Sequence, residues 1–414
     1  MRKLFFFTEF YHPVQDTTGY YLTRIIHTAA RSLDMPVSVC CAVPSNNGEA
    51  YVSQKFEVHR VATAKYDKNV LRQRIARTLG MTLRFAFYAA ARVRRHDIVF
   101  GVTNPASLML LLALLRKVIR FKYVLLVYDV HPENLVPAGL ARRESLMYRL
   151  AVRCFNWGYR AADELIVIGR DMEEVVRRKV GSRHRITQLP NWADVEAVRP
   201  CPKAENALIR QYGLQDKTVF LFAGNLGRVQ GIGNLLRGIS ATKSTSAAFL
   251  FAGDGVFQPE VERFIRAHPD KNVMSLGHFP IASQQLFLGA CDVAFVTLGD
   301  AMYGLGVPSK SYFAMAAGKP LLLVAEPNSE MGRVIRENGV GWIVPPDQPE
   351  MLAEKIDEIC RAGDVEQIGR RARGVVERQF SEQAILSRYS EYFRALSDGV
   401  AAKGSRVDPA VDAA

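Results

Sequence analysis

Residues 218–241, "TVFLFAGNLGRVQGIGNLLRGISA", run from an uncharged apolar stretch through a glycine-rich turn into a segment with apolar residues at helical spacing. That order predicts a buried strand, a tight loop and a helix packed back on the sheet, the unit from which doubly wound parallel sheets are built. The unit recurs downstream in "AAFLFAGDG" (247–255), "CDVAFVTLGD" (291–300) and "PLLLVAE" (320–326). A similar series lies upstream in "KLFFFTEF" (3–10), "VSVCCAV" (37–43), "DIVFGV" (97–102) and "KYVLLVYD" (122–129), with helical segments between.

Two such series predict an α/β chain of two doubly wound, Rossmann-like domains facing across a cleft. The connection "ITQLPNWADVEAVRPCPKAEN" (186–206) has three prolines and little apolar periodicity, so the boundary is expected near Pro200. The expected organisation is residues 1–200, residues 201–380, a C-terminal helix over 381–397 and a disordered tail over 398–414. Ligands of open α/β sheets bind beyond the carboxyl ends of the strands, so the chemistry is expected in the strand-to-helix loops.

The chain has 414 residues, 49% hydrophobic and 23% charged, enough to bury a sizeable core. Six scattered cysteines form no CxxC pair, which fits a reducing compartment and ordinary thiols. Glu9 interrupts the first apolar run and no small-residue cleavage site follows, so the start reads as a strand. Asn104-Pro105 splits the longest uncharged stretch, 98–115, and no membrane-spanning segment is expected.

Charge is unevenly spread. Residues 1–200 hold 31 Lys/Arg against 17 Asp/Glu, whereas the remainder holds 23 against 24. A basic first half suits an anionic partner, nucleic acid or acidic lipid, or simply a soluble basic surface. No helix-turn-helix, zinc or aromatic RNA-reading motif accompanies the charge, so no nucleic-acid partner is expected. Leu71, Ile75, Leu79, Leu83 and Phe87 recur every four residues among arginines 72, 74, 77 and 84. This is a basic amphipathic helix that either packs its stripe on the sheet or, with "RKVIRFK" (116–122), meets a membrane surface.

In "AGNLGRVQG" (223–231), glycines let backbone N–H groups approach an anion, and Arg228 can add a forked hydrogen bond to a diphosphate; tight packing alone is the alternative. Asp254, in "FAGDGVFQPE", touches a base or caps a turn. Ser309 and Lys310 precede the helix "SYFAMAAG", where Lys310 is a point charge suited to a phosphate or sugar oxygen, or else a solvated lysine. Gly19, in "DTTGYY" (16–21), marks a further glycine loop or a plain turn. "YDVHPEN" places Asp129, His131 and Glu133 at a strand end, where each can accept a hydroxyl proton or merely pin the loop. Neither an Asp-x-Asp pair nor a His/Cys cluster argues for a metal.

The whole order of motifs resembles the retaining family-4 glycosyltransferases of the GT-B fold, in the subgroup that builds bacterial surface polysaccharides such as O-antigen and exopolysaccharide. The resemblance covers nearly the entire chain. It rests on "FYHPVQDTTGYY", "VYDVHPENLVPAGL" and "LPNWADVEAVRP" in the first half. In the second it rests on "AGNLGRVQG", "LFAGDG", "VPSKSYFAMAAGKPLL" and "ENGVGWIVPPDQPEMLAEKI". It implies an enzyme of the glycosyltransferase class, with a nucleotide-sugar donor, UDP- or GDP-linked, in the second domain and a polyprenyl-linked or glycan acceptor in the first. Donor-side positions carried over are Gly19, Gly224, Asn225, Gly227, Arg228, Gln230, Asp254, Ser309, Lys310 and Glu330. It further implies retention without a metal or other cofactor, and work in the cytoplasm, peripheral on the inner face of the plasma membrane.

The chain departs from the family pattern in one region. Two glutamates eight positions apart are usual there, the second holding the donor ribose, but this chain has Leu305 and Phe313. Phenylalanine cannot accept ribose hydrogen bonds. Glu330 is the substitute candidate, with a first-turn glutamate as its alternative. Likewise Asn225 and Gln230 stand where the family usually has arginine and lysine, leaving charge to Arg228 and Lys310. The departures also motivate a second reading, a noncatalytic sugar-nucleotide-binding partner of a polysaccharide assembly complex.

Overall fold

The computed structural model describes residues 2–13, 17–43, 56–63, 71–279 and 283–398. They form two compact units, the first of the described residues within 2–134, 142–190 and 386–398, the second of those within 135–141 and 191–385.

In the first unit, mostly apolar, largely buried runs form β1 (Leu4–Thr8), β2 (Val37–Ala42), β4 (Ile98–Val102), β5 (Lys122–Val127) and β6 (Glu164–Val167), with β3 (Glu57–Val61) and β7 (Arg185–Gln188) at the edges. The seven described strands run parallel in the order β3-β2-β1-β4-β5-β6-β7. The helices are α1 (Thr17–Ser32), α2 (Leu71–Arg92), α3 (Ala106–Ile119), α4 (Leu146–Arg160) and α5 (Arg170–Val180). Phe6 of β1 and Phe100 of β4 meet at 4.9 Å between ring centroids at the centre of this core.

In the second unit the helices are α6 (Ala207–Tyr212), α7 (Ile232–Ala241), α8 (Gln258–Ala267), α9 (Gln284–Ala290), α10 (Lys310–Ala316), α11 (Glu330–Asn338), α12 (Pro349–Arg361) and α13 (Val365–Gln379). The strands are β8 (Thr218–Ala223), β9 (Ala247–Ala252), β10 (Val273–Gly277), β11 (Val293–Thr297), β12 (Leu321–Val324) and β13 (Gly341–Val344). They too are all parallel, in the order β10-β9-β8-β11-β12-β13. Phe220, Phe249 and Phe295 stack across the three central strands, 5.6 and 5.4 Å from ring to ring. The two predicted doubly wound sheets are present, with strand order reversing at β1/β4 and at β8/β11.

Several details differ from the sequence expectation. The units divide at Pro190/Asn191, ten residues before the expected boundary, because Trp192 and Ala193 are buried within the second unit. The Ala193 N–H donates to the Phe380 carbonyl at 3.0 Å and the Ala193 carbonyl accepts from Glu382 N–H at 2.9 Å. The expected C-terminal helix over 381–397 is α14 (Glu382–Ser397); what the sequence did not show is that from Leu386 it groups with the first unit, where Phe393 packs on Phe6 and Phe100. The expected tail, apart from Asp398, lies outside the described residues. Gly19 sits in the first turn of α1 rather than in an open loop, and Asp16 beside it lies outside the described residues. In α2 the inward residues are Met81, Phe85, Tyr88 and Ala89, while Leu79, Leu83 and Phe87 face outward. The side chains of Leu71, Arg74 and Ile75 are outside the described set.

Candidate active site

In the second unit the donor-side candidates collect at the carboxyl ends of the four adjoining strands β9, β8, β11 and β12. The loop after β8 is fixed by backbone hydrogen bonds to its neighbours. Gly224 N–H donates to Ala252 O at 2.8 Å, and Leu226 N–H donates to Asp254 O at 2.7 Å. Gly299 N–H donates to Val229 O at 2.8 Å, and Thr297 Oγ1 donates to Gln230 O at 2.6 Å. Gly253 has φ +150°, and a Cβ there would stand 1.9 Å from the Gly224 carbonyl oxygen, so only glycine lets the β9 and β8 loops close on each other. On this support Gly224, Asn225 and Arg228 are exposed, and Arg228 forms no ion pair among the described residues. Gly231 precedes α7 with no side-chain cap, leaving the first-turn N–H groups of that helix for a ligand.

Lys310 is the most unusual group of this cluster. Its residue opens α10 and is half-buried, but its ammonium is buried and has no hydrogen-bond partner. Nζ lies 3.8 Å above the ring centroid of Phe222, a β8 residue with no exposure. A cation–π contact is worth about 2 kcal/mol when desolvated, too little to offset burial of an unpaired ammonium. Burial accordingly lowers the Lys310 pKa to about 7. The Gln230 Oε1 atom is also buried without a partner. A built cationic position and a buried amide thus lie at the strand-order reversal of this sheet, where open α/β sheets take their ligands.

The remaining donor-side candidates divide. Ser309 stands at the N-cap of α10 but its side chain makes no capping bond. The Asp254 carboxylate makes no capping bond among the described residues; the Asp254 carbonyl accepts from Leu226 N–H of the neighbouring loop, and the carboxylate is exposed 3.7 Å from His278 Nδ1. Leu305 and Phe313 are buried and apolar, so neither offers an acceptor to a ribose. Glu330 is buried in the first turn of α11, just beyond β12, behind an N-cap Ser329 that accepts from Gly332 N–H. Arg333 of the same helix donates to the Tyr303 hydroxyl at 3.1 Å, tying α11 to the loop that leads to Lys310.

In the first unit the segment after β5 is held from several sides. Thr103, just beyond β4, accepts through Oγ1 from Tyr128 N–H at 3.1 Å and Asp129 N–H at 3.3 Å. The buried Tyr159 hydroxyl accepts from His131 N–H at 3.0 Å. Burial raises the Asp129 pKa to about 6. Burial lowers that of His131 to about 4, with Lys179 adding to the effect and Asn134 and the Thr103 carbonyl acting against it. Glu133 is paired with Lys179, yet its Oε2 and the neighbouring Asn134 Oδ1 are buried without partners. Glu133 thus has one carboxylate oxygen in an ion pair and one without a partner, while Asp129 and His131 form no ion pair among the described residues.

Thr103, Tyr159, Lys179 and Phe222 were not singled out in the sequence. Lys179, in "VVRRKVG", reads like its solvated neighbours, and Phe222 reads as one more core residue of its strand. A cleft of about 940 Å³ also opens in the second unit, lined by Lys203, Thr218, Asp292 and Lys319. It lies at the amino ends of the strands, and Lys203 is already paired with Asp292 at 2.5 Å, so it is not the site described above. Among the described residues no group of three His, Cys, Asp or Glu side chains is placed to share a metal ion.

Residues 217–362 match the family model described as "Glycosyl transferases group 1", and residues 18–192 match the "Glycosyl transferase 4-like domain". The chain is 39% identical over 396 residues to the probable glycosyltransferase WbjE of Pseudomonas aeruginosa, covering 96% of this chain and 98% of that one. It is 23% identical over 310 residues to the putative colanic acid biosynthesis glycosyl transferase WcaI of Escherichia coli K12, covering 72% and 74% of the two chains. The structure of Anabaena HepE in complex with UDP-glucose superposes with a TM-score of 0.68 at 17% identity, covering 95% of this chain and all of that one.

Proposed function

The chain belongs to the family-4 glycosyltransferases of the GT-B fold, and we propose that it moves one sugar, with retention at the anomeric carbon, from a UDP- or GDP-linked donor to a lipid-linked or glycan acceptor in bacterial surface-polysaccharide synthesis. The observation that carries the donor side is the buried, unpartnered ammonium of Lys310 at the reversal point of the second sheet. A nucleoside diphosphate along residues 224–231 supplies the missing negative charge. The UDP-glucose complex of the structural neighbour makes a uridine donor the first to try.

As the bond from the anomeric carbon to the diphosphate oxygen breaks, negative charge grows on that oxygen. Lys310, Arg228 and the first-turn N–H groups of α7 bind that charge more tightly than the intact donor, which lowers the barrier. The acceptor hydroxyl oxygen bonds to the same carbon from the same face, and its proton passes to the departing phosphate oxygen. Asp129 and His131 orient the acceptor hydroxyl by hydrogen bonds without taking its proton; at neutral pH the first is largely ionised and the second neutral. No enzyme nucleophile, metal or other cofactor is assigned, so turnover is expected to survive EDTA. Glu330 takes the place of the usual ribose-binding glutamate. No helix among the described residues is long and apolar enough to cross a membrane. We place the protein on the cytoplasmic side, peripheral on the inner leaflet, where a polyprenyl-linked acceptor would be met.

The test is to offer the purified protein a panel of labelled nucleotide sugars with bacterial membranes and follow label into extractable lipid. Transfer from one donor is expected. Donor binding with label in no lipid fraction would contradict the lipid-linked acceptor.

A further inference from the structure

The helices α2, α3 and α4 pack side by side in the first unit, α2 on α3 and α3 on α4. Each turns apolar side chains outward as well as inward. On α2 these are Leu79, Leu83 and Phe87, the last 75% exposed. On α3 they are Leu114 and Val118, one turn apart, and on α4 Leu146, Met147 and Leu150, with Met147 81% exposed. Isolated exposed apolar residues are ordinary, but rows on three adjoining helices make a patch of the kind that marks an interaction surface.

The charge on these three helices has one sign, with the exposed Glu144 just before α4 and Asp163 beside Arg116 as acidic neighbours. α2 carries five arginines, α3 carries Arg116 and Lys117, α4 carries three arginines, and none of the three helices contains an aspartate or glutamate. Arg77 turns inward to Glu9, and Arg116 pairs with Asp163, but Arg72, Arg92, Lys117, Arg149 and Arg153 are exposed. Lys117 Nζ lies 5.1 Å from the ring centre of Trp157, so the seam between α3 and α4 also presents an amphipathic aromatic. A second copy of the chain would bring the same cationic face, which opposes a symmetric pairing. Anionic headgroups over an apolar interior match both features at once.

We propose that the outward face of α2, α3 and α4 inserts its leucine, phenylalanine and methionine side chains into an anionic lipid bilayer, with the surrounding arginines on the headgroups. This deepens the reading of a membrane-borne acceptor, but its test needs neither donor nor transfer, so the two can fail separately. Insertion also distinguishes it from a purely electrostatic attachment, which salt would abolish.

The experiment is cosedimentation of the full chain with vesicles of phosphatidylglycerol and phosphatidylethanolamine, and with phosphatidylcholine vesicles as control. Binding to the anionic vesicles is expected, with a fraction persisting at about 0.5 M salt, where headgroup attraction is screened. The variant Leu83→Glu/Phe87→Glu/Met147→Glu is expected to partition at least about tenfold less, with an unchanged melting temperature because all three positions are exposed. Arg149→Gln/Arg153→Gln is expected to weaken binding at low salt and leave the salt-resistant fraction. Failure to bind anionic vesicles, full loss of binding in salt, or unchanged binding of the triple glutamate variant would overturn the proposal. So would a wild-type dimer in sedimentation velocity that the same variant dissociates, since a second copy would then cover the face.

Discussion

At the residue scale the site is defined by groups whose burial works against them. The folded pKa of Lys310, about 7, lies below the ordinary 10.5, so within that window the unfolded chain binds the extra proton and stability rises with pH. Lys310→Met should flatten that rise and stabilise the unliganded protein at neutral pH, by on the order of a few kcal/mol, while weakening donor binding; thermal melts across pH check the first and nucleotide titration the second. Asp129 has the opposite bookkeeping. Its pKa is raised from 3.8 to about 6, so the fold is favoured by the protonated form and that stabilisation is lost as pH rises through about 6. Asp129→Asn should therefore melt higher above that pH, by up to roughly 3 kcal/mol in stability, yet transfer sugar at least about a hundredfold more slowly. Lys310 was legible as a lone lysine between an apolar loop and an apolar helix. Its seat on Phe222 was not, because that contact joins the start of α10 to a residue of β8, 88 positions earlier in the chain.

At the element scale, the glycine loops were legible from composition and their mutual support was not. The pattern glycine, acid, glycine after β9 suggests a ligand or a capped turn, whereas the structure uses Gly253 to let the loop lie on the Gly224 carbonyl. Gly253→Val should push the two loops apart, costing about 1–3 kcal/mol as overpacking and weakening nucleotide binding about tenfold or more; a melt and a titration on the same preparation test this. The helix α2 shows the limit of periodicity. Its sequence is apolar on two sides, and a four-residue repeat cannot tell which side meets the sheet. Volume decides: Phe85, Met81 and Tyr88 fill the inner face, with Phe85 6.1 Å from the Phe7 ring.

At the scale of the whole molecule, two parallel sheets follow from the alternation of apolar strands and amphipathic helices, and this was readable from the chain. The return of α14 to the first unit was not, since a helix carries no local mark of the sheet it will cover. In the fold, Tyr392 donates its hydroxyl to the buried Glu164 at 3.0 Å, and Phe393 lies 6.1 Å from Phe6. Phe393→Ala should therefore cost about 3–5 kcal/mol in the first unit while leaving nucleotide affinity, a property of the second, unchanged. A parallel loss of nucleotide affinity would contradict that division of labour.

The central claim is that the donor diphosphate is received by Lys310. It is tested most directly by calorimetric titration of UDP and GDP at about pH 8, in buffers of different ionisation heat, into the wild type and Lys310→Met. The account predicts that the wild type binds one of the two and takes up close to one proton on doing so, because a neutral Lys310 becomes charged against the diphosphate. It predicts much weaker binding and no linked proton for the variant. Equal affinity in both proteins without proton uptake, or no binding of either nucleotide by the wild type, would contradict it.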